Sequence, residues 1–412
     1  MTSAGMTGAG VSGCPHFPTI TAQGLDPDPL LAELRSSEPV VRVQLPFGEP
    51  LWMLTRYEDV RTMLADTRFS RTATIGTDVG RMSEYFPIED SILGMDPPGH
   101  TRIRRLVSTT FTARRMQALR GRAQEIVDGL LDAMQEAEQP VDFVQAVALP
   151  LPITMICELL GVPFEDREQF NGWADIFMTS SGHTVEELLD AHGQLTAYLA
   201  DLIAKRRVEP TDDILGALVS ARDADESVMT EGQLQSLLMA ILVAGYETTA
   251  NQLGKFVLCL LERPDQLQVV REHPELMANA VEELMRFIPL SAGSQLAYLA
   301  TEDVEIGGVL IRAGEGVMPS TASANRDESV FHHADRVDVE RTDIFQLGFG
   351  HGSHYCLGAH LARVELQVAL TSLFSRFPDL RLAVPADEVP WKDGSAVWGL
   401  EALPLLFSNP FF

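Results

Sequence analysis

The cysteine at position 356 has the surroundings that point most directly to chemistry. It follows a glycine-rich run and precedes a long amphipathic segment. This arrangement presents a thiolate at a helix N-terminus, where exposed N–H groups and the helix dipole favour negative charge. Gly350, Gly352 and Gly358 let the backbone turn tightly and lie against a flat, bulky ligand. His354, two residues before the sulfur, is placed to reach an anionic group at the ligand's edge. The alternative is a buried structural cysteine beside a glycine-rich turn.

A second candidate lies inside a long apolar segment, in the run Ala244-Gly245-Tyr246-Glu247-Thr248. A glycine and an adjacent acid–hydroxyl pair are poor choices for the interior of a buried helix. Local rules that are broken at one place often mark function, and an acid beside a hydroxyl can move protons. The alternative is a kinked helix in which the Thr248 hydroxyl bonds to the carbonyls of its own helix.

A third candidate is the basic run that begins at Asp96 and continues to Arg105. Its pattern predicts a capped helix start with proline in the first turn. His100 and Arg104 are four residues apart and share one face of that helix. Two cationic donors on one face suit a carboxylate ligand. The alternative is a basic turn that only faces solvent.

Helices must position most of these residues, because apolar residues recur at helical spacing along most of the chain. Strand signals are fewer, and they flank a turn at Gly48 and a hairpin signal at Gly307-Gly308. The tail from Leu380 onward is broken by prolines and predicts an irregular region with short strands. The predicted helical segments are 117–137, 145–161, 186–206, 213–222, 231–262, 266–288 and 357–377, and the predicted strands are Val40–Val43, Leu51–Leu54, Val304–Ile306 and Val309–Ile311.

The segment 231–262 predicts the longest helix, about 48 Å if it is continuous. Thr230 and Gln233 form a capping box at its start, and Pro264 follows its end. The segment is apolar on nearly every face, so we expect it to cross the centre of the protein. The acid–hydroxyl pair at 247–248 then lies in the interior.

The run around Cys356 has the pattern F-G-x-G-x-H-x-C-x-G, which resembles the haem-ligand signature of the cytochrome P450 family. All six fixed positions match, near the end of the chain where that family carries them. The resemblance extends from about residue 25 to the last residue. It implies a mainly α fold with a small β lobe, in a single domain whose long central helix crosses over the haem. We expect that domain over 21–412, after a disordered arm over 1–20 that is rich in Gly, Ser, Thr and Ala.

The resemblance implies that the cofactor is haem b. Cys356 would ligate its iron, and Phe349 and Gly350 would contact the haem on the same side. His100 and Arg104 match the positions from which the family contacts a haem propionate. At the place where related members carry an arginine for the other propionate, this chain has Tyr298. A phenol donates one hydrogen bond but brings no charge, so we expect looser anchoring, or an altered tilt, of that propionate.

The central run resembles the family's oxygen-activation motif, A/G-G-x-D/E-T. By that match Ala244 and Gly245 lie where the helix makes room for dioxygen. Thr248 would hydrogen-bond to the bound oxygen, and Glu247 would help to relay protons from solvent. Two protons must reach the distal oxygen before the O–O bond can break.

Glu283 and Arg286 are three residues apart on one predicted helix face, a pattern typical of a surface ion pair of little worth. The resemblance, E-x-x-R, implies a structural role instead. It places this pair against Arg336, in a Glu–Arg–Arg cluster behind the haem. We therefore expect the cluster to serve folding and haem retention.

The activity implied is that of a haem-thiolate monooxygenase, which inserts one atom of dioxygen into a hydrophobic small molecule by hydroxylation or epoxidation. The likeness to actinomycete-type members suggests a polyketide, macrolide or similar natural product. One alternative is another haem-thiolate reaction, such as a peroxide-driven, desaturating or ring-forming oxidation. A more distant alternative is a haem sensor, although a sensor has no need of the acid–threonine pair.

Electrons must come from a separate partner, because the sequence has no flavin or nicotinamide fingerprint. In the bacterial branch that the chain resembles, the partner is a ferredoxin with an NAD(P)H-dependent ferredoxin reductase. The arginines between 102 and 115, with Arg363, predict a basic docking patch near Cys356. By analogy with the family, we expect an apolar substrate pocket with walls that include Leu290, Ala292, Leu296 and Val397.

The formal net charge of −27 argues against nucleic acid or an anionic membrane surface as a partner. No apolar run approaches the length of about 18 residues that a spanning helix needs, and the N-terminus lacks the pattern of a secretion signal. Cys14, Cys157 and Cys259 show neither zinc-site nor disulfide spacing. Cys157 and Cys259 lie in apolar helical surroundings, so we expect them in the core. A reducing cytoplasm is the compartment we expect.

Overall fold

The structure is a computed structural model, and it describes residues 14–18, 24–82, 90–166, 169, 172–173, 176, 184–291, 296–392 and 397–408. Helices dominate it, as the apolar periodicity predicts. The helices are Leu30–Ser37 (α1), Tyr57–Ala65 (α2), Gly99–Ser108 (α3), Ala113–Ala118 (α4), Arg120–Glu136 (α5), Pro150–Leu160 (α6), Val185–Val208 (α7), Ile214–Ala224 (α8), Glu231–Leu261 (α9), Pro264–Glu272 (α10), Met277–Phe287 (α11), Thr321–Ala324 (α12) and Ala359–Arg376 (α13).

The strands form small sheets, so the fold is mainly α with a minor β part in a single domain. A five-stranded sheet has the order β1-β2-β8-β5-β3, and a three-stranded sheet has the order β4-β10-β9. The predicted hairpin is present, with Val304 paired to Ile311. The strands are Val40–Val43 (β1), Leu51–Leu54 (β2), Phe69–Ser70 (β3), Val141–Asp142 (β4), Tyr298–Ala300 (β5), Val304–Ile306 (β6), Val309–Ile311 (β7), Gly316–Pro319 (β8), Arg381–Leu382 (β9) and Pro404–Leu406 (β10).

Helix α9 is the predicted central helix. Its capping box is present, with the Thr230 hydroxyl accepting from the Gln233 N–H and the Gln233 side chain accepting from the Thr230 N–H. It packs against α6, α7 and α13, and most of its side chains from Leu234 to Leu260 are buried. Because apolar residues cover nearly all of its faces, burial on every side stabilises it.

Two predicted helices differ from the structure at prolines. The segment 266–288 is divided between α10 and α11, because Pro274 cannot continue α10 and its neighbour His273 is held out of the helical region at φ −127° and ψ 70°. The segment 145–161 begins with a π-helical turn, Val144–Ala148, and becomes α-helical only from Pro150. In both places the apolar pattern continues across a backbone break.

The predicted cap of α3 is wrong. Helix α3 begins at Gly99, and no side chain caps its N-terminus. The Asp96 carboxylate instead accepts hydrogen bonds from the Ser70 hydroxyl and from the N–H groups of Arg71 and Thr72. Asp96 therefore ties the start of α3 to the end of β3.

Cys157 and Cys259 are buried in the core, as predicted. Much of the arm predicted to be disordered lies outside the described residues, so that expectation stays a prediction. Phe17, one of the described residues within it, is buried and donates its N–H to the Gln44 carbonyl at 2.9 Å. Among the helices that the structure describes, none combines the length and apolar character needed to cross a bilayer.

Candidate active site

The Cys356 loop brings a sulfur to the N-terminus of α13. The Cys356 N–H donates to the Phe349 carbonyl at 2.8 Å, which closes the loop. Burial raises the pKa of the Cys356 thiol. The N–H groups of Gly358 and Ala359, which bond to the sulfur, and the nearby guanidinium of Arg104 act against that rise. The fold thus supplies the donors at a helix start that stabilise a thiolate.

Two glycines of this loop have backbone conformations that other residues rarely adopt. Gly350 has φ +73° and Gly352 has φ +71°. A Cβ atom on Gly352 would also collide with the Leu64 carbonyl of α2. Gly358 has an ordinary φ of −81°, so it does not need the left-handed region. The loop therefore depends on glycine at 350 and 352 for its shape.

A cavity of about 400 Å³ separates the Cys356 loop from the middle of α9. Cys356, His354 and Phe349 lie on one side of it, and Ala244 and Thr248 lie on the other. Its walls are mostly apolar. The apolar lining residues include Ile92, Leu93, Phe111, Leu237, Ala240, Ile241, Met285, Leu290, Leu296, Leu361 and Leu366. The structure thus brings the two sequence motifs together around one enclosed space.

One edge of this cavity is crowded with basic side chains. The rings of His100 and His354 lie 4.3 Å apart, and Arg104 donates to the Tyr355 carbonyl at 2.6 Å. Burial lowers the pKa of His100 to about 4, with Arg104 and Arg71 adding repulsion. Burial and the same two arginines also lower the pKa of His354. Such an edge favours an anionic ligand, which would relieve that repulsion.

Arg71 is a member of this edge that the sequence analysis missed. Its guanidinium lies 4.7 Å from the centre of the Tyr298 ring, and its Nη1 donates to the Leu93 carbonyl at 3.0 Å. Its Nε is buried and has no hydrogen-bond partner among the described residues. Tyr298 itself is buried beneath Arg71 and is not among the described residues that line the cavity. An aromatic residue at an expected arginine position was the available signal, because a flat ring offers a stacking surface to a guanidinium from elsewhere.

Glu247 and Thr248 occupy one turn of α9 but face different partners. The Thr248 hydroxyl donates to the Ala244 carbonyl at 2.6 Å, the arrangement that the alternative interpretation predicted. The Glu247 carboxylate is buried, and its Oε1 accepts from Lys392 Nζ at 2.9 Å and from Asn251 Nδ2 at 3.4 Å. Thr248 nevertheless lines the cavity that the Cys356 loop faces.

Lys392 is a second residue that the sequence analysis missed. It reaches Glu247 from the C-terminal tail, and its side chain is about one-fifth exposed, at 22%. The tail lies very close to α9 at this point, since a Cβ atom on Gly399 would overlap the Asn251 side chain. Its scarcity in the sequence could have drawn attention to it, because lysine is rare in this chain. The chain's three lysines are Lys205, Lys255 and Lys392.

Gly245 has a packing role that the motif does not reveal. A Cβ atom at this position would lie 3.0 Å from the Ile156 side chain of α6. Glycine here lets α9 approach α6 closely while Ala244, the preceding residue, faces the cavity. The described backbone of α9 continues as a helix through this position.

The predicted Glu–Arg–Arg cluster forms with a different second arginine. Glu283 and Arg286 are both buried and joined by two hydrogen bonds of 2.8 Å. Arg341 supplies the third side chain, with its Nε 3.0 Å from Glu283 Oε2. Arg336 is exposed and contributes only its carbonyl, which accepts from Arg286 Nη2 at 3.0 Å. The prediction of Arg336 is therefore wrong, because the chain turns at 336–341 and brings the later arginine inward.

The predicted docking patch also needs a correction. Arg102, Arg105, Arg114 and Arg115 are exposed, and no ion pair engages them in the described part of the chain. Arg363 is held instead by the Glu282 carboxylate and by the Tyr355 hydroxyl at 3.1 Å. Its charge is thus already balanced, and it does not join the patch.

Of the predicted pocket residues, Leu290 and Leu296 line the cavity. Val397 is buried but is not among the lining residues that the structure describes. Ala292 lies outside the described residues. The predicted apolar character of the pocket is borne out in the described lining.

The residues around the cavity fit haem b. A flat apolar macrocycle needs apolar walls on both faces, an iron ligand on one side and cations for two carboxylates at its edge. Cys356 can provide the ligand, Arg71 and Arg104 can provide the charge of a cationic edge, and the neutral rings of His100 and His354 can each donate one N–H hydrogen bond there. The buried, unpartnered Nε of Arg71 is a further donor that a carboxylate would satisfy.

Comparison with known proteins gives consistent results. The sequence model of the Cytochrome P450 family matches residues 168–394. Nocardicin C N-oxygenase of Nocardia uniformis subsp. tsuyamanensis is 48% identical over 92% of this chain and 96% of its own length. Mycinamicin IV hydroxylase/epoxidase of Micromonospora griseorubida is 46% identical over 95% of this chain and 98% of its own. The crystal structure of the hydroxylase LnmA, from the leinamycin pathway of Streptomyces atroolivaceus S-140, matches with a TM-score of 0.89 and 49% identity, over 95% of this chain and all of the other.

Proposed function

This chain belongs to the cytochrome P450 family and is a haem-thiolate monooxygenase, and we propose that it hydroxylates or epoxidises an apolar, mid-sized natural product of the polyketide or macrolide kind. The observation that carries this proposal is the aliphatic lining of the cavity on the α9 side, at Leu237, Ala240 and Ile241, away from Cys356 and the cationic edge that would hold the haem. Apolar walls on that side favour a substrate that is itself mostly hydrocarbon.

Haem b, when bound, supplies the iron that activates dioxygen for transfer of one oxygen atom. We assign the iron ligand to Cys356, whose thiolate would hold the iron and donate electron density to it. Arg71, His100, Arg104 and His354 would hold the two carboxylates of the macrocycle, the arginines by charge and the histidines by a ring N–H donor. Because these donors come from separate elements, they would also fix its orientation in the cavity.

Proton delivery falls to Thr248 and Glu247. The Thr248 hydroxyl, which rests on the Ala244 carbonyl, can turn and donate into the cavity. Glu247 connects to Lys392, and the partial exposure of Lys392 gives the buried carboxylate a route to solvent. The proposed route thus runs from the surface at Lys392 to Glu247, and Thr248, the next residue of α9 and part of the cavity lining, would make the last transfer.

The names of related proteins support the substrate class. One relative is a mycinamicin IV hydroxylase/epoxidase, and another is a nocardicin C N-oxygenase. These substrates differ in chemistry, so product analysis must distinguish oxygen added at carbon from oxygen added at nitrogen. The aliphatic residues Leu237, Ile241, Leu290 and Leu296 around the cavity favour a large apolar contact area.

The test is an optical titration of the ferric holoenzyme with macrolides, other polyketides, terpenoids and small aromatics. A substrate that enters the pocket displaces water from iron and shifts the haem band. We expect a saturable shift with polyketides or macrolides, and a new oxygenated product when turnover is reconstituted with the same compound. Shifts confined to small aromatics, or shifts without an oxygenated product, would contradict the proposed substrate class.

The redox partner proposed is a ferredoxin that receives electrons from an NAD(P)H-dependent reductase. The exposed arginines of α3 and α4 support this, because they give an acidic protein basic side chains on two helices near the Cys356 loop. Arg104 of α3 donates to the Tyr355 carbonyl, and α4 packs against α13. The cytoplasmic location remains a prediction from the sequence.

A further inference from the structure

Lys255 is a buried charge that the catalytic machinery does not use. It lies in α9, two turns after Glu247, and its side chain is 1% exposed. In the described part of the chain its Nζ has one hydrogen-bond acceptor, the Pro289 carbonyl, at 2.7 Å. Burial lowers its pKa to about 7. A lysine in this position costs folding free energy that an aliphatic side chain would not.

The Pro289 carbonyl is one of four consecutive carbonyls that are each held by a donor from another part of the chain. Arg326 donates to Phe287 O at 2.8 Å and 3.0 Å. Gln252 donates to Ile288 O at 3.3 Å, and Lys255 to Pro289 O. The Trp398 N–H donates to Leu290 O at 2.8 Å. We call Phe287–Leu290 the clamped segment.

The clamped segment needs such donors because it follows the end of α11. Ile288 leaves the helical region at φ −97° and ψ 114°, as expected before a proline. The last carbonyls of a helix have no partner within it. Pro289 is buried, so its carbonyl has no access to bulk water. Donors that bind it therefore decide where the backbone runs after the helix.

The clamped segment ends at the wall of the active-site cavity. Leu290 lines the cavity, and its backbone follows directly from the carbonyl that Lys255 holds. Lys255 itself is not among the described lining residues. Its effect on a ligand must therefore pass through the segment, by fixing where the Leu290 side chain stands.

We propose that Lys255 is a specificity-determining positioning residue, which sets the shape of the cavity by holding the clamped segment and thereby Leu290. The inference rests on the proposed function in one respect, that ligands occupy the apolar cavity. This role accounts for a buried lysine at a position where an aliphatic side chain would give a more stable protein. Burial of Lys255 costs folding free energy, and its hydrogen bond to the Pro289 carbonyl fixes one wall of the pocket.

The test compares two ligands of the ferric holoenzyme that bind iron through the same nitrogen. Imidazole is too small to reach the walls, whereas 1-phenylimidazole places a ring against them. The variant is Lys255→Met, which keeps the length of the side chain and removes the donor. We expect the ratio of the two dissociation constants to change about tenfold, since pocket contacts of methylene size carry that much discrimination. The imidazole affinity and the 450 nm band of the reduced carbonyl complex remain as in the wild type.

The matched control is Cys259→Ala on the same helix. Cys259 is fully buried one turn beyond Lys255, and the cavity lining does not include it. Its sulfur accepts a hydrogen bond from Arg263, and its substitution weakens the core without removing any of the four donors that hold the clamped segment. If Cys259→Ala changes the ratio as much as Lys255→Met, or if Lys255→Met leaves the ratio within twofold of the wild type, the proposal is overturned.

A double-mutant cycle with Leu290→Ala shows whether the effect passes through Leu290. We expect Lys255→Met to have little further effect on the ratio once Leu290 is truncated. Additive effects would exclude Leu290 as the intermediary and contradict the proposal. If Lys255→Met does not retain haem, Lys255→Gln, which shortens the reach of the donor, is measured in the same cycle. These ligands do not depend on the natural substrate, so a wrong substrate class leaves the test unaffected.

Discussion

At the scale of single residues, the cationic edge shows how a residue from another part of the chain can supply a charge that Tyr298 lacks. The family resemblance leads us to expect an arginine at position 298, and the sequence alone predicts a weaker hold on the haem. The structure places Arg71 on the face of the Tyr298 ring, at the cavity edge. A guanidinium from the end of β3 thus supplies the charge, and an aromatic ring supports it.

Arg71→Leu should therefore lose haem more readily than the wild type. A hydrogen bond to a charged group contributes about 1.5–3 kcal/mol, so we expect haem transfer to apomyoglobin to be faster by about tenfold or more. Tyr298→Phe keeps the stacking ring and serves as the control, with haem loss close to that of the wild type. Faster loss in the phenylalanine variant alone would mean that the phenol, not Arg71, holds the haem.

The ion pair between Glu247 and Lys392 leads to a second prediction. Lys392→Met removes the only cation paired with Glu247 among the described residues. We expect product formation to fall by about tenfold or more, as for other losses of general acid–base catalysis, and hydrogen peroxide release to rise. Lys392→Arg keeps the charge and should retain most of the coupling. Oxygen consumption, peroxide and product are measured together, and unchanged coupling in the methionine variant would exclude Lys392 from proton delivery.

Lys255 should leave a signature in the pH dependence of stability. Its pKa is about 7 in the folded protein against 10.5 when exposed. Between these two pH values Lys255 binds a proton in the unfolded chain but not in the folded one. Its contribution to the free energy of unfolding therefore rises with pH, by up to about 1.4 kcal/mol per pH unit. Lys255→Met lacks this term. We expect the variant's urea midpoint to exceed that of the wild type at pH 7, with a gap that narrows by pH 9. If the difference in urea midpoint between the variant and the wild type did not change with pH, Lys255 would not titrate between pH 7 and pH 9.

What the sequence predicted at this scale depended on local patterns. Cys356, His354, Glu247 and Thr248 lie in runs whose residue types and spacing are visible in one segment. Arg71, Lys392 and Lys255 act across long separations, on Tyr298, Glu247 and Pro289. Such pairs depend on how the chain folds back, and one sequence without relatives does not contain that information.

At the scale of elements, the buried cluster on α11 joins that helix to the chain segment behind the haem site. Glu283 receives hydrogen bonds from Arg286, from Arg341 and from the Asp338 N–H at 2.9 Å. Arg286 also donates to the carbonyls of Asn325 and Ala334, each at 2.8 Å. Removing one member leaves the others charged and buried, which costs about 3–5 kcal/mol.

Glu283→Ala and Arg341→Ala should therefore give little haem-loaded protein. Arg336→Ala is the matched control, since its exposed side chain takes no part in the cluster and its carbonyl is unchanged. The measurement is the ratio of haem absorbance to protein absorbance in purified samples. A low ratio for Arg336→Ala with a normal ratio for Arg341→Ala would restore the assignment made from the sequence.

Element prediction succeeded where the local signal was complete. The capping box of α9 and the Gly307-Gly308 hairpin contain both ends of the interaction within a few residues, and both are present. It failed at Asp96, whose pattern suits a helix cap but whose carboxylate binds the backbone after β3. It also joined α10 to α11, because the apolar spacing continues across Pro274.

At the scale of the whole molecule, the charge distribution is uneven. The chain has a net charge of −27, yet Arg102, Arg105, Arg114 and Arg115 are exposed together on α3 and α4. An acidic electron donor is repelled by the molecule as a whole and attracted by this surface. Its orientation on approach is therefore set by the patch.

Arg105→Glu with Arg115→Glu should raise the ferredoxin concentration needed for half-maximal turnover, by about tenfold at low salt and less at high salt. Lys205→Glu is the control for net charge, because Lys205 is exposed on α7, whose main packing partners are α8 and α9. One charge reversal changes the net charge half as much as two, so an effect of Lys205→Glu that is equal per unit of charge would indicate general repulsion. No effect of the double change at low salt would exclude the patch as the docking surface.

The five-stranded sheet has a consequence for how the protein is made. Strand β2 pairs in parallel with β8, with Trp52 beside Val317, so distant parts of the chain must meet to complete it. At roughly 5–20 residues per second of synthesis, β2 waits on the order of tens of seconds for its neighbour. During that wait its open edge can pair with other nascent chains. We expect the yield of folded enzyme in a producing cell to depend on chaperone supply, and not on haem supply alone.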